Sequence, residues 1–281
     1  MKISKRCIDC LYKRQMDRSN NDKEYMEIVD EIFANRDESD CCPYLVYQFN
    51  KEYEKRYGKA KSFRDINRKY NDIVLEREDK IRTIIEKSEE PLKKALMYSR
   101  VGNYIDFGGM NVVDDDELFR LLNDVETRKE DEQVIESFFS QCENAENFLL
   151  LADNCGEIVL DKLLIEQLKR YYPKLNVTVM VRGGEIYNDA LLEDALYIGI
   201  DKVAKVITNG TSIAGTVYKT LPDEAKQAID NADVILSKGQ ANYESFAEEG
   251  FHAFFSLLCK CEMFVERFNV PRLTGIFVEK D

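Results

Sequence analysis

The chain reads as an α/β protein: an all-α N-terminal region followed by a mostly parallel sheet flanked by helices. Three observations predict this. Apolar residues recur at helical spacing over the first ~145 residues. From about residue 148, short apolar or β-branched runs begin to alternate with amphipathic helical segments. Turn residues separate the two kinds of segment at the interval expected of parallel strands joined by crossover helices. The expected division is residues 1–145, helical, and residues 146–281, α/β.

In the first part, NDKEYMEIVDEIFANR places Tyr25, Met26, Ile28, Val29, Ile32 and Phe33 on one helical stripe. Ile66, Tyr70, Ile73, Val74, Ile81, Ile84 and Ile85 continue the pattern. Pro91 opens a further helix, because its missing N–H costs nothing in a first turn. After Gly102, NYIDFGGMNVVDDDEL reads as a glycine-containing acidic loop that leads into another helix.

In the second part FLLLAD (148–153) is a buried strand, EIVLDKLLIEQLKRYY (157–172) a helix and NVTVMVRGG (176–184) a strand. DALLEDALYIG (189–199) is helical, KVITNG (205–210) a strand and PDEAKQAIDNA (222–232) helical. DVILSKG (233–239), HAFFSLLC (252–259) and TGIFVEK (274–280) are strands, with helices over ANYESFAEE and CEMFVERFNV between them. The architecture expected is a doubly wound, Rossmann-like sheet.

The bulk numbers exclude several functions. A formal net charge of −13, with no basic run interleaved with aromatics, argues against nucleic acid. No apolar run approaches the ~20 residues that cross a bilayer, and MKISKRCIDCLYKRQ lacks the apolar core of a secretory signal. The expected location is the cytoplasm, where the eight cysteines stay reduced. A single histidine, His252, rules out a His₂ or His₃ metal site. It begins an apolar strand and reads as structural. One C-x-x-C pair, Cys7 and Cys10, invites a zinc or redox reading that Cys41-Cys42 would complete only if the fold brings them close. With no second pair at matching spacing, reduced thiols in a helical region are the favoured reading.

Parallel sheets bind ligands beyond the carboxyl ends of their strands, which selects five turns. The first holds Asp153 and Asn154 before Cys155, Gly156 and a helix. Two hard oxygen donors suit Mg²⁺ or Mn²⁺, and both residue types also suit a helix cap. Cys155, near a helix start, invites oxidation or serves as a passive small residue. The second turn holds Gly183, Gly184, Glu185, Asn188 and Asp189, the last again a ligand or a cap. The third, Thr208 to Thr216 with Gly215, reads as an anion nest or as a plain flexible loop, the loop being favoured. The fourth offers Lys238 and Asn242 and the fifth Lys260; a lysine at the end of a buried strand implies an acidic partner or an anion. Carboxylates, an amide and lysines on one edge describe metal-assisted phosphoryl transfer. A P-loop motif is absent, and no G-x-G-x-x-G follows a strand.

At these residues, LLLADNCGEIVLDKLLIEQL, VRGGEIYNDALLEDA, ITNGTSIAGT, SKGQANYESF and LLCKC resemble, in order, the signatures of the damage-control phosphatases, formerly domain-of-unknown-function-89. CIDC and GNYIDFG resemble the smaller prokaryotic subgroup. The resemblance spans almost the whole chain. It implies a phosphatase of small phosphorylated metabolites, such as sugar phosphates or nucleotides, that depends on a divalent metal ion (Mg²⁺, Mn²⁺, Co²⁺ or Ni²⁺). It places the metal on Asp153, Asn154 and Asp189, with Asp153, Asp189 and Lys260 catalytic. Asn103 and Asp106 become substrate-facing, beside Glu185, Asn188, Gly215, Lys238 and Asn242. Cys155 stands where alanine is commonest, and Glu185-Ile186 where Pro-Ile is usual. The attacking oxygen is left open between an aspartate and a metal-bound water. A carboxyl methyltransferase and a non-catalytic metabolite-binding module are the alternative readings.

Overall fold

In a computed structural model, six strands form one sheet in the order β3-β2-β1-β4-β5-β6. They are β1 Asn147–Leu151, β2 Asn176–Val181, β3 Lys205–Thr208, β4 Val234–Lys238, β5 Ala253–Leu258 and β6 Gly275–Lys280. The structure describes residues 1–59, 61–107, 120, 122–123 and 128–281, without the side chains of 103–107. Strands β1 to β5 are parallel, while β6 runs antiparallel to β5 on the edge. The order reverses between β1 and β4, so the crevice above those two strands is the switch point at which doubly wound sheets bind ligands.

Among the described residues the helices are α1 Lys5–Arg18, α2 Lys23–Ala34, α3 Cys42–Tyr57, α4 Arg64–Leu75, α5 Glu78–Glu86, α6 Pro91–Phe107, α7 Lys129–Asn144, α8 Glu157–Tyr171, α9 Leu192–Tyr197, α10 Asp223–Asp230, α11 Gln240–Phe246 and α12 Glu262–Phe268. The two-residue period of β1 sends Phe148 and Leu150 into one buried cluster and Leu149 and Leu151 into another. The first cluster includes side chains of α4 to α9; the second includes α10, α11 and α12. Helices α1 to α3 form a third cluster around Tyr25, Val29, Leu45 and Phe49, and α3 meets α11. No helix among the described residues is long and apolar enough to cross a membrane.

Two expectations are corrected. Helix α6 does not stop at Gly102 but continues to Phe107. Gly102 is there because α6 crosses α8 closely: a Cβ on it would lie 2.6 Å from Glu157 Cα. The helix expected over 189–199 shortens to Leu192–Tyr197. Asp189 is instead held extended in a bridge with Asn154. The sheet is mostly parallel as expected, with only the last strand antiparallel.

Candidate active site

Asp153 and Asn154 follow β1, and the turn after β2 returns Asp189 to them. Ala190 N donates to Asp153 O at 2.8 Å, and Cys155 N to Asn188 O at 2.9 Å. Neither acid is a cap. Helix α8 begins at Gly156, whose N–H donates to Asn71 Oδ1 at 2.8 Å, and α9 is capped at Leu191, whose N–H donates to Asp194. The buried Asp153 and Asp189 carboxylates therefore face something other than helix amides.

What they share is Arg182, the residue directly after β2. Its guanidinium is 1% exposed. Nε donates to Asp189 Oδ2 at 2.7 Å, and Nη2 lies 3.8 Å from Asp153 Oδ1. Nη2 has no hydrogen-bond partner among the described residues. Asn154 Nδ2 donates to Asp153 Oδ2 at 2.8 Å and to Glu157 Oε2 at 3.3 Å. Burial first, then the charges of Asp189 and Glu157, push Asp153 up to about 8, against the pull of Lys260 and Arg182. Gly239, after β4, closes over the carboxylate with φ +84°. A Cβ there would lie 1.9 Å from Asp153 Oδ2.

The acids thus converge with Lys260, half-buried at the end of β5, near enough for its charge to act on Asp153. Two carboxylates and an amide are hard oxygen donors that fit a divalent cation. Among the described residues no three His, Cys, Asp or Glu side chains form a ligand set, so the amide of Asn154 is needed for a third side-chain donor.

Other expected residues have different surroundings. Lys238 is fully buried and points away from solvent: Nζ meets Glu157 Oε1 at 2.8 Å, Asp161 Oδ1 at 2.5 Å and Ser99 Oγ at 2.8 Å. Of the two partners expected for it, an acid or an anion, the structure shows the acid, Glu157 with Asp161. Asn242 is buried and its amide is saturated. Nδ2 donates to Ala152 O at 3.1 Å and Lys238 O at 2.7 Å, while Oδ1 accepts from Thr216 Oγ1 at 2.9 Å and Arg182 Nη1 at 3.3 Å. It is a tie within the site and has no capacity left for a substrate.

Gly215 has φ +111°, and a Cβ on it would lie 2.6 Å from Ala241 O, so it serves close packing. Its loop is pinned rather than free: Asn209 Oδ1 accepts from Gly183 N at 2.9 Å, and Thr216 N donates to Ser245 Oγ at 2.8 Å. Glu185 is exposed. Although partial burial pushes its carboxyl up, Ser62 Oγ at 2.7 Å, the Phe63 amide and Arg64 hold it below the usual range. Asn188 is half-buried beside Asp189. The side chains of Asn103 and Asp106 lie outside the described residues. Cys155 is 1% exposed and its thiol is pushed up by burial and by Asp194, which fits the passive one of its two readings. His252 stays at the surface, its Nδ1 2.9 Å from Asp281 Oδ1.

Sequence reasoning passed over Arg182. The signal was present, since a basic residue ends a buried strand just before two glycines, as Lys260 ends another.

Fold and site together define an α/β protein with an acid-lined, arginine-braced crevice at the switch point of its sheet. The damage-control phosphatase ARMT1-like domain matches residues 2–274, so the chain belongs to that family. It is 30% identical over 280 residues to a damage-control phosphatase of Archaeoglobus fulgidus, covering 93% of each chain. It is 28% identical over 302 residues to an uncharacterised protein of Methanocaldococcus jannaschii, covering 96% of this chain and 93% of that one. The crystal structure of a DUF89 family protein from Pyrococcus horikoshii matches with a TM-score of 0.81 at 26% identity, over 100% of both chains.

Proposed function

We propose that the chain hydrolyses phosphomonoesters of small metabolites in the β1/β4 crevice, using a divalent cation held by Asp153, Asn154 and Asp189. One observation carries this reading: two buried carboxylates from successive crossovers converge on the same guanidinium, and burial together with the charge of Asp189 pushes Asp153 well above the usual carboxylate range. A buried acid so placed either keeps a proton or takes a cation. The oxygen donors suit Mg²⁺, Mn²⁺, Co²⁺ or Ni²⁺. The bound cation would polarise a phosphoryl oxygen.

The chain's own groups do the rest. Arg182 Nη2, which makes no hydrogen bond among the described residues, offers an N–H to a phosphate oxygen, and Nε keeps Asp189 oriented. Lys260 adds positive charge at the same edge, against the negative charge that builds on the phosphoryl group. Two relatives named damage-control phosphatase support the reaction class. The test is phosphate release from a panel of sugar phosphates, nucleotides and related esters, with each cation and with a chelator. Turnover should need the cation and should fall to background in Asp153→Ala and Asp189→Ala. Full turnover in the chelated protein, or in both variants, would overturn the assignment.

A further inference from the structure

The eight cysteines divide cleanly by environment. Cys41, Cys142, Cys155 and Cys259 are buried, as passive thiols usually are. Cys7, Cys42 and Cys261 are half-buried and Cys10 is exposed. These last four come from three distant parts of the chain: two from α1, one from the start of α3, one from the residue before α12. Yet all four line a single cavity of about 450 Å³. Cys7 is close enough to Cys42 for its charge to act on that thiol. Ser4 Oγ donates to Cys7 Sγ at 3.1 Å, and Gln240 Nε2 to Cys261 Sγ at 3.6 Å.

We propose that Cys7, Cys10, Cys42 and Cys261 form the binding site of a thiolate-ligated metal centre, a zinc ion or an iron–sulfur cluster, separate from the acids at β1 and β4. Cys7 and Cys10 lie three apart on one helical face, the spacing of a chelating pair. Hydroxyl and amide donors on two of the sulfurs are the outer contacts that thiolate ligands require. Arg6, Arg14, Lys260 and Arg272 line the cavity on its basic side, Arg6 in an ion pair with Glu266; Glu244 and Glu262 are its acidic members. Among the described residues no three ligating side chains already stand round one point. Binding therefore draws the sulfurs inward as each gives up its proton to solvent, and the exposed Cys10 has the freedom to turn. A disulfide between Cys7 and Cys42 would also use their contact. It would leave Cys10, Cys261 and the donors without a role.

The full chain, purified without oxygen, should carry about one zinc ion, or one cluster with its iron and acid-labile sulfide, per chain. After stripping and loading with Co²⁺ it should show the sulfur-to-cobalt charge-transfer absorption. That band should persist when Asp153 and Asp189 are both alanine, and should vanish in Cys10→Ser. Gln240→Ala should weaken Co²⁺ binding by about 10-fold. The wild-type measurement decides by itself if variants fail to fold. Four reduced, freely titratable thiols with no charge-transfer band would overturn the site, as would a Cys7–Cys42 disulfide found by mass spectrometry in place of metal.

Discussion

Replacing Lys238 separates a structural role from a substrate role. Its ammonium is 0% exposed, with Glu157 and Asp161 carboxylates, also 0% exposed, at 2.8 and 2.5 Å. The two acids pull the lysine up despite burial, and burial pushes Asp161 up to about 6 even with the lysine present. Lys238→Met keeps most of the volume but takes from two buried acids the lysine they share. Breaking a buried pair in this way costs about 3–5 kcal/mol. For a chain of this size that is a fall of roughly 6–20 °C in melting temperature. Thermal and urea unfolding followed by circular dichroism would measure it, with phosphatase kinetics in parallel. Adding Glu157→Gln and Asp161→Leu removes the acids' charges and should recover most of the loss, since a buried triad replaced whole is about neutral. A Lys238→Met variant with unchanged melting and a raised KM would refute the structural reading and return the lysine to the phosphate.

Two further outcomes follow from the same edge of the sheet. Gly239→Ala forces a side chain into φ +84°, ψ 161° at 1.9 Å from Asp153 Oδ2. It should lose about 1–3 kcal/mol in urea unfolding and about 100-fold in kcat/KM, because the carboxylate must move by about 1 Å; wild-type kinetics would show that this carboxylate is not used. Asp153 is raised from 3.8 to about 8 in the cation-free fold, so between those values the folded chain holds a proton that the unfolded chain has released. Its contribution to stability is therefore full below pH 3.8 and is lost as pH rises through 8. A cation competes with that proton, so affinity should rise about 10-fold per pH unit up to pH 8 and then level off; titration calorimetry showing pH-independent affinity would count against the site.

Much of this was legible in the chain, and the failures share a cause. Strand positions followed from short apolar runs, and the switch-point rule then pointed to the turns after LLLAD and VMVRGG before any contact was known. Helix α8 was harder. Its pattern reads as amphipathic, yet Glu157, Asp161 and Lys162 are all buried. A charge pattern cannot distinguish a polar face in water from one matched by Lys238, Ser99 and Glu78, because those partners are 62 to 84 residues away. Gly102 misled for the same reason: it looks like a helix end until α8 is seen against it. The four-thiol cavity was legible only in part: Cys42 could be set beside Cys7 and Cys10 as a condition on the fold, while Cys261 joins them only through the fold.

The site's rigidity follows from where its polar atoms are anchored. Asn242 bonds the backbone at the ends of both β1 and β4, the two strands that flank the crevice, and the guanidinium of Arg182. Arg182 in turn fixes Asp189 and borders Asp153. Each acid is thus positioned by a chain of contacts that ends on main-chain carbonyls of the sheet rather than on mobile loops. On the proposed function, a substrate or cation entering the crevice would meet charges already oriented, so little reorganisation would oppose the reaction. That economy explains why Asn242, saturated and unavailable to any ligand, sits in the middle of the site.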